Sequence, residues 1–240
     1  VGIERHPMTA VEVKTELLRL KGAGADVISA HNVVPYAWRT IRDMGELGML
    51  PGLSVDKAGK YTWREGGITA VGPMQQTTTS GFEVADKWAN YIFSHIDRAT
   101  YPFVDMEKDT GFKEMWTLML ARYDKKECQI RQLEYGYGWT AALIMAAAAK
   151  RTVEQAGWEN FGRKAIVEKG LPGLTVDMKG LSGGISYADY PNDRTGLGKQ
   201  KFAVFDTEVG VHRPLADWQE FDKYCYDKGY YPAIPGTKVK

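Results

Sequence analysis

The sequence predicts an α/β fold in which helices wrap a parallel sheet. Three observations carry that expectation. Apolar residues recur at helical spacing in two early stretches, short β-branched runs lie between and beside them, and glycines or a proline stand where one pattern gives way to the other. Read in order, these give β-α-β-α-β with short links, the arrangement that builds a parallel sheet covered by helices.

Residues 1–3 form a short β-branched stub. Thr9 and Glu12 have capping-box spacing, with Thr9 as N-cap, and the helix that follows offers Val13, Leu17, Leu18 and Leu20 as its apolar face. Gly22 and Gly24 stop it. Residues 25–30 read as a buried strand. Pro35 suits the first turn of a helix, in which Trp38, Ile41, Met44 and Leu47 recur, and Gly48 ends it. Residues 50–55 read as the next strand of the sheet, and residues 66–78 as a strand pair or an irregular crossing.

A second capping box, Ser80-Gly81-Phe82-Glu83, predicts a long amphipathic helix to about Ile96. Phe112, Met115, Trp116, Met119 and Leu120 predict another helix. Tyr135-Gly136-Tyr137-Gly138-Trp139 reads as a break before a helix over 140–155 that Gly157 closes, and residues 161–168 read as one more short helix. Beyond Gly170 the texture is rich in Gly, Pro, Asp and Tyr. Residues 201–205 predict a strand, with 185–187 as its candidate partner.

Composition bounds the function. Across 240 residues, 44% are hydrophobic and 25% charged, and 31 basic residues balance 30 acidic ones. Without a basic excess, a nucleic-acid partner has no electrostatic support. No apolar run reaches the roughly 18 residues of a membrane span, and residues 1–5 lack a leader pattern, so the chain is expected to begin after processing or within a longer protein. His6, His31, His95 and His212 are scattered, and neither a GxSxG elbow nor a phosphate-binding glycine loop is present. No catalytic group, metal or other cofactor is expected. Cys128 and Cys225 make no CxxC pair; one disulfide or two buried thiols fit them equally.

Three segments carry a family resemblance. The run Lys21-Gly22-Ala23-Gly24-Ala25-Asp26, ending a helix before a strand, is one, with the helix end Met44-Gly45-Glu46-Leu47-Gly48 after it. Tyr135 to Ala142 is the second. The third runs from Gly184 through Asp193-Arg194-Thr195-Gly196 and Phe202 to Phe205, ending at Pro214-Leu215-Ala216-Asp217-Trp218. In order and spacing the chain resembles the C-terminal portion of type I periplasmic solute-binding proteins, of the branched-chain amino acid and amide-binding branch. The resemblance implies two Rossmann-like lobes with parallel sheets. Residues 1–130 would be most of the second lobe. Residues 131–240 would be the hinge return and the C-terminal segment of the first. The front of the family's fold is missing, so the resemblance also implies an N-terminal segment, a second chain or an exchanged copy that completes it.

Ligands of open parallel sheets sit outside the C-terminal ends of strands. That rule selects His31, Asn32 and Tyr36 after the first strand, Ser54 and Asp56 after the next, and Gln75 after the third. Asp56 falls near the position where the family's amino-acid binders hold the ligand's ammonium; as a residue before Lys57-Ala58-Gly59 it is equally a turn former. Tyr135, Tyr137 and Trp139 at the hinge return are offered for stacking on a ligand or for packing. The function implied is capture of an amino acid, amide or related small acid in the periplasm or another extracytoplasmic space, for delivery to the membrane permease of an ABC transporter. The alternative is a ligand-binding sensor or regulatory module on the same fold.

Overall fold

The computed structural model describes residues 2–7, 10–30, 34, 36–73, 81–188, 190–191, 196 and 199–219. They fall into two compact units. The first takes Val1–Ile96, Thr100–Phe103 and Lys201–Asp217, and the second takes 97–99, Val104–Gln200 and Trp218–Lys240. The chain thus passes between these units near residues 96–104 and 200–218.

In the first unit, α1 (Lys14–Gly22), β1 (Val27–Ser29) and α2 (Tyr36–Glu46) appear in the expected order. α1 starts later than its capping box predicts, since residues 10–13 are not helical; Thr9 lies outside the described residues. The cap comes from α2 instead, because the Val13 amide donates to the buried Asp43 carboxylate at 2.7 Å. Of its expected apolar face, Val13 and Leu17 are buried, but Leu18 is exposed. Gly24, at φ 84°, turns the chain out of the helix. Trp38, Ile41 and Met44 of α2 are all fully buried, as their spacing predicts. The stub at residues 1–3 forms no strand at Gly2 and Ile3.

The third parallel strand is not the expected one. Among the described residues, 53–55 (β2, Leu53–Val55) pair only with β3 (Tyr61–Trp63), in an antiparallel hairpin separate from the main sheet. The Asp56 side chain makes this turn, accepting from the amides of Ala58 and Lys60 at 2.9 Å each. The sheet continues instead with β4 (Thr69–Pro73), parallel to β1, and β5 (Ile92–Ile96), parallel to β4.

The long helix expected to Ile96 is replaced by two 3-10 turns, Phe82–Val84 and Asp86–Tyr91, and then β5. Gly81, at φ 89°, stands at the first turn and supplies no side-chain cap. Ile92, Phe93, Ser94 and Ile96 are all buried, a run that suits a central strand and not one stripe of a helix.

β8 (Lys201–Asp206) lies antiparallel between β5 and β9 (Val211–Pro214), giving the order β1-β4-β5-β8-β9. Residues 185–186 are therefore not its partner; as β7 (Ile185–Ser186) they pair with β6 (Thr175–Val176) in the second unit. Ile28, Ala70 and Ile92 align across the sheet, and with Phe205 they join Trp38, Ile41 and Met44 in one core. The Trp38 ring meets Phe205 edge-on at 4.9 Å.

The second unit is built on α3 (Thr110–Leu120) and α4 (Lys125–Ala156). α4 runs unbroken through the expected break at Tyr135–Trp139. Its start is capped by Asp124, which accepts from the Glu127 amide at 2.8 Å, and Gly157 closes it at φ 80°. A 3-10 turn (Trp158–Asn160), a helical turn (Arg163–Ala165) and a π turn (Ile166–Gly170) follow. Among the described residues no helix is long and apolar enough to cross a membrane.

Candidate functional site

The parallel strands of the first unit end at a common edge. Ser29 stands opposite Val71, and Pro73 opposite His95, so β1, β4 and β5 point their carboxyl ends the same way. This is where the strand-end rule places a ligand. Tyr36 begins α2 there. It is half-buried, its carbonyl accepts from the Thr40 hydroxyl at 3.1 Å, and the Arg39 guanidinium lies 4.9 Å from its ring centre. His31, Asn32 and Gln75, also predicted for this edge, lie outside the described residues.

Ser54 and Asp56 are carried to the opposite edge. β8 runs antiparallel to β5, so the turn after Asp206 lies beside the start of β5, where Thr207 donates to the Asn90 side chain at 3.0 Å. Lys57 pairs with Glu208 of that turn, and Arg213 donates to the Asp56 carbonyl at 3.3 Å. The hairpin tip is thereby held at the amino edge of the parallel strands. The placement of Asp56 at a parallel strand end, which the sequence suggested, is corrected by this register. Ser54 donates to the Thr62 carbonyl across the hairpin at 3.4 Å.

Tyr135, Tyr137 and Trp139 do not converge either. Successive helical residues point about 100° apart, so in a continuous α4 Tyr135 and Trp139 share a side and Tyr137 leaves it. Tyr135 packs edge-on against Tyr123 at 6.4 Å, and Trp139 is half-buried.

Tyr137 instead joins a polar group in the second unit that the sequence reading missed. Its hydroxyl donates to Asp97 Oδ1 at 3.4 Å, and the Arg98 guanidinium lies 4.1 Å from its ring centre. Asp97 and Arg98 are both buried and follow β5 directly. Gly136 makes room for Arg98: a Cβ there would stand 3.0 Å from Arg98 Cδ. Arg98 also bridges Ser182 backbone to backbone, antiparallel. Had 92–96 been read as a strand, the strand-end rule would have selected Asp97 and Arg98. The glycine in Tyr135-Gly136-Tyr137 was the second signal, a close approach and not a break.

Among the described residues no cluster of His, Cys, Asp and Glu suits a metal ion. Cys128 is buried with Sγ 3.7 Å from the Tyr123 carbonyl, and burial raises its thiol pKa above the ordinary value. Cys225, and with it the question of a disulfide, lies outside the described residues.

No family model matches the sequence, and no curated protein matches it. Solved structures do match. A branched-chain amino acid ABC transporter protein from Thermus thermophilus, solved with bound valine, aligns at a TM-score of 0.63 and 15% identity over 91% of this chain and 52% of that one. A fatty acid ABC transporter substrate-binding protein from Thermomonospora curvata aligns at 0.63 and 13% identity, over 88% and 48%. A type 1 periplasmic binding protein from Bordetella pertussis Tohama I aligns at 0.52 and 13%, over 87% and 50%. The fold is that of the type I periplasmic binding proteins, and this chain spans about half the length of the structures it matches.

Proposed function

Taking the type I periplasmic-binding-protein fold as the premise, we propose that this chain binds a small polar solute outside the cytoplasm and presents it to the membrane permease of an ABC transporter, without chemical turnover. The observation that carries the reading is the common carboxyl edge of β1 and β4, in a fold shared with proteins solved as transporter binding components. Tyr36 and the neighbouring positions His31, Asn32 and Gln75 are the proposed contacts at that edge. An amino acid or amide is the proposed solute class.

We further propose that additional polypeptide covers part of the second unit. Leu118, Met145 and Trp158 are 46%, 56% and 72% exposed, apolar side chains that such a cover would bury. An upstream segment, a second chain or an exchanged copy would supply it.

The test is a ligand screen on the purified protein, read by thermal melting and then by calorimetry. A solute present at about 100 times its Kd stabilises the folded state by about 2.7 kcal/mol. A saturable one-to-one isotherm for an amino acid or amide supports the reading, with a loss of affinity on Tyr36→Ala. No stabilisation by any amino acid, amide, fatty acid or aromatic acid would sink it.

A further inference from the structure

Arg98, Ser182 and Thr140 are buried, and Arg98 Nε and the two hydroxyl oxygens have no hydrogen-bond partner among the described residues. They belong to one neighbourhood of the second unit. Arg98 and Ser182 oppose each other across an antiparallel bridge, which sets opposed side chains on one face about 5 Å apart. Thr140 lies one helical turn beyond Gly136, the residue that the Arg98 arm crosses.

All three can donate, and Arg98 can only donate. Among the described residues, the carboxylate that pairs with Arg98 is Asp97. It accepts from Tyr137 and forms an ion pair with Arg98, but its Oδ2 stands 3.7 Å from Arg98 Nη1, too far for a hydrogen bond to the fork. Arg98 Nη1 otherwise reaches only the Asp97 carbonyl, at 3.4 Å. A guanidinium removed from water with its fork unmatched is costly, and the cost is relieved by a planar acceptor bearing negative charge. Water could cap each donor singly, whereas a planar carboxylate matches the guanidinium fork with two parallel charge-assisted bonds that Asp97 does not supply. We propose that Arg98, with Ser182 and Thr140 beside it, receives the carboxylate of a small organic acid or amino acid. The proposal rests on the solute-binding reading above and narrows it, because a neutral amide supplies no charge to the fork.

Nuclear magnetic resonance can follow the Arg98 Nε–H signal directly, assigned by its loss in Arg98→Lys. The protein is titrated with sodium benzoate, sodium succinate and L-valine, and with benzamide and sodium chloride as controls. At least one carboxylate is expected to shift the signal saturably, while benzamide and chloride leave it in place. Calorimetry with that carboxylate is expected to show more than tenfold weaker binding in Arg98→Met and a smaller loss in Thr140→Val, with circular dichroism confirming that both variants fold. A carboxylate that binds equally well to Arg98→Met overturns the proposal. So does a neutral solute that binds while no carboxylate does, although solute binding itself then stands. If neither kind of solute binds, both readings fall.

Discussion

The amide of Val13 donates to the carboxylate of Asp43 across 2.7 Å, so that α2 caps the start of α1. Asp43 is fully buried, and its other oxygen accepts two hydrogen bonds from Arg42, at 2.8 and 3.0 Å. Asp43→Ala leaves both partners without an acceptor. It is expected to destabilise the protein by about 3 kcal/mol in urea unfolding. Asp43→Asn keeps an acceptor for Val13 and is expected to cost roughly half as much.

His212 gives the fold an acid sensitivity. Its ring is fully buried against Phe205 at 5.1 Å and bonded to the Ser94 hydroxyl at 3.1 Å, and burial lowers its pKa to about 3. In the unfolded chain it titrates near 6.5, so there it takes up a proton that the folded state refuses. Its contribution is complete above about pH 6.5 and is lost as pH falls toward 3, by up to about 1.4 kcal/mol per pH unit. Unfolding free energies measured from pH 4 to 7 are expected to show a flatter dependence in His212→Gln than in the parent.

Two glycines test whether α4 is continuous and closely packed. A Cβ at Gly138 would meet nothing within 4 Å, so Gly138→Ala is expected to stabilise the helix by about 0.5–1 kcal/mol. A Cβ at Gly170 would stand 2.6 Å from the Ala148 carbonyl oxygen of α4. Gly170→Ala is expected to cost about 1–3 kcal/mol. A helix broken near residue 138 would not show the first gain.

The Asp56 hairpin offers a local test. With its carboxylate committed to two amides of the turn, Asp56→Ala should speed hydrogen exchange at Ala58 and Lys60. Exchange in β4 and β5 should not change.

Much of the first unit was legible because its signals are local. Trp38, Ile41 and Met44 announce a buried helical stripe, and Gly24 a stop. What misled was pairing, which local patterns do not encode. Residues 53–55 have strand composition, but a tight Asp56–Gly59 turn folds them back on β3 before they reach the sheet. The run from Ile92 to Ile96 follows a plausible capping box, and its flanking by β4 and β8 makes it a strand buried at all positions but His95. The candidate site suffered from the same gap. Arg98 becomes conspicuous once β5 is known to end at Ile96, and Thr140 and Ser182 join it only through three-dimensional proximity.

The first unit's sheet is closed by a hairpin encoded far downstream, since β5 receives its antiparallel neighbour from Lys201–Asp206. During synthesis, β5 emerges with that flank bare and the core lacking Phe205, while about 100 further residues are made. At roughly 5–20 residues per second this interval lasts about 5 to 20 seconds. Throughout it, the Ile92–Ile96 edge is open to pairing with other nascent chains. The helices α3 and α4 and the β6–β7 pair of the second unit are encoded within that gap and can form before β5 gains its neighbour, so a chaperone that shields exposed strands would be needed most at β5.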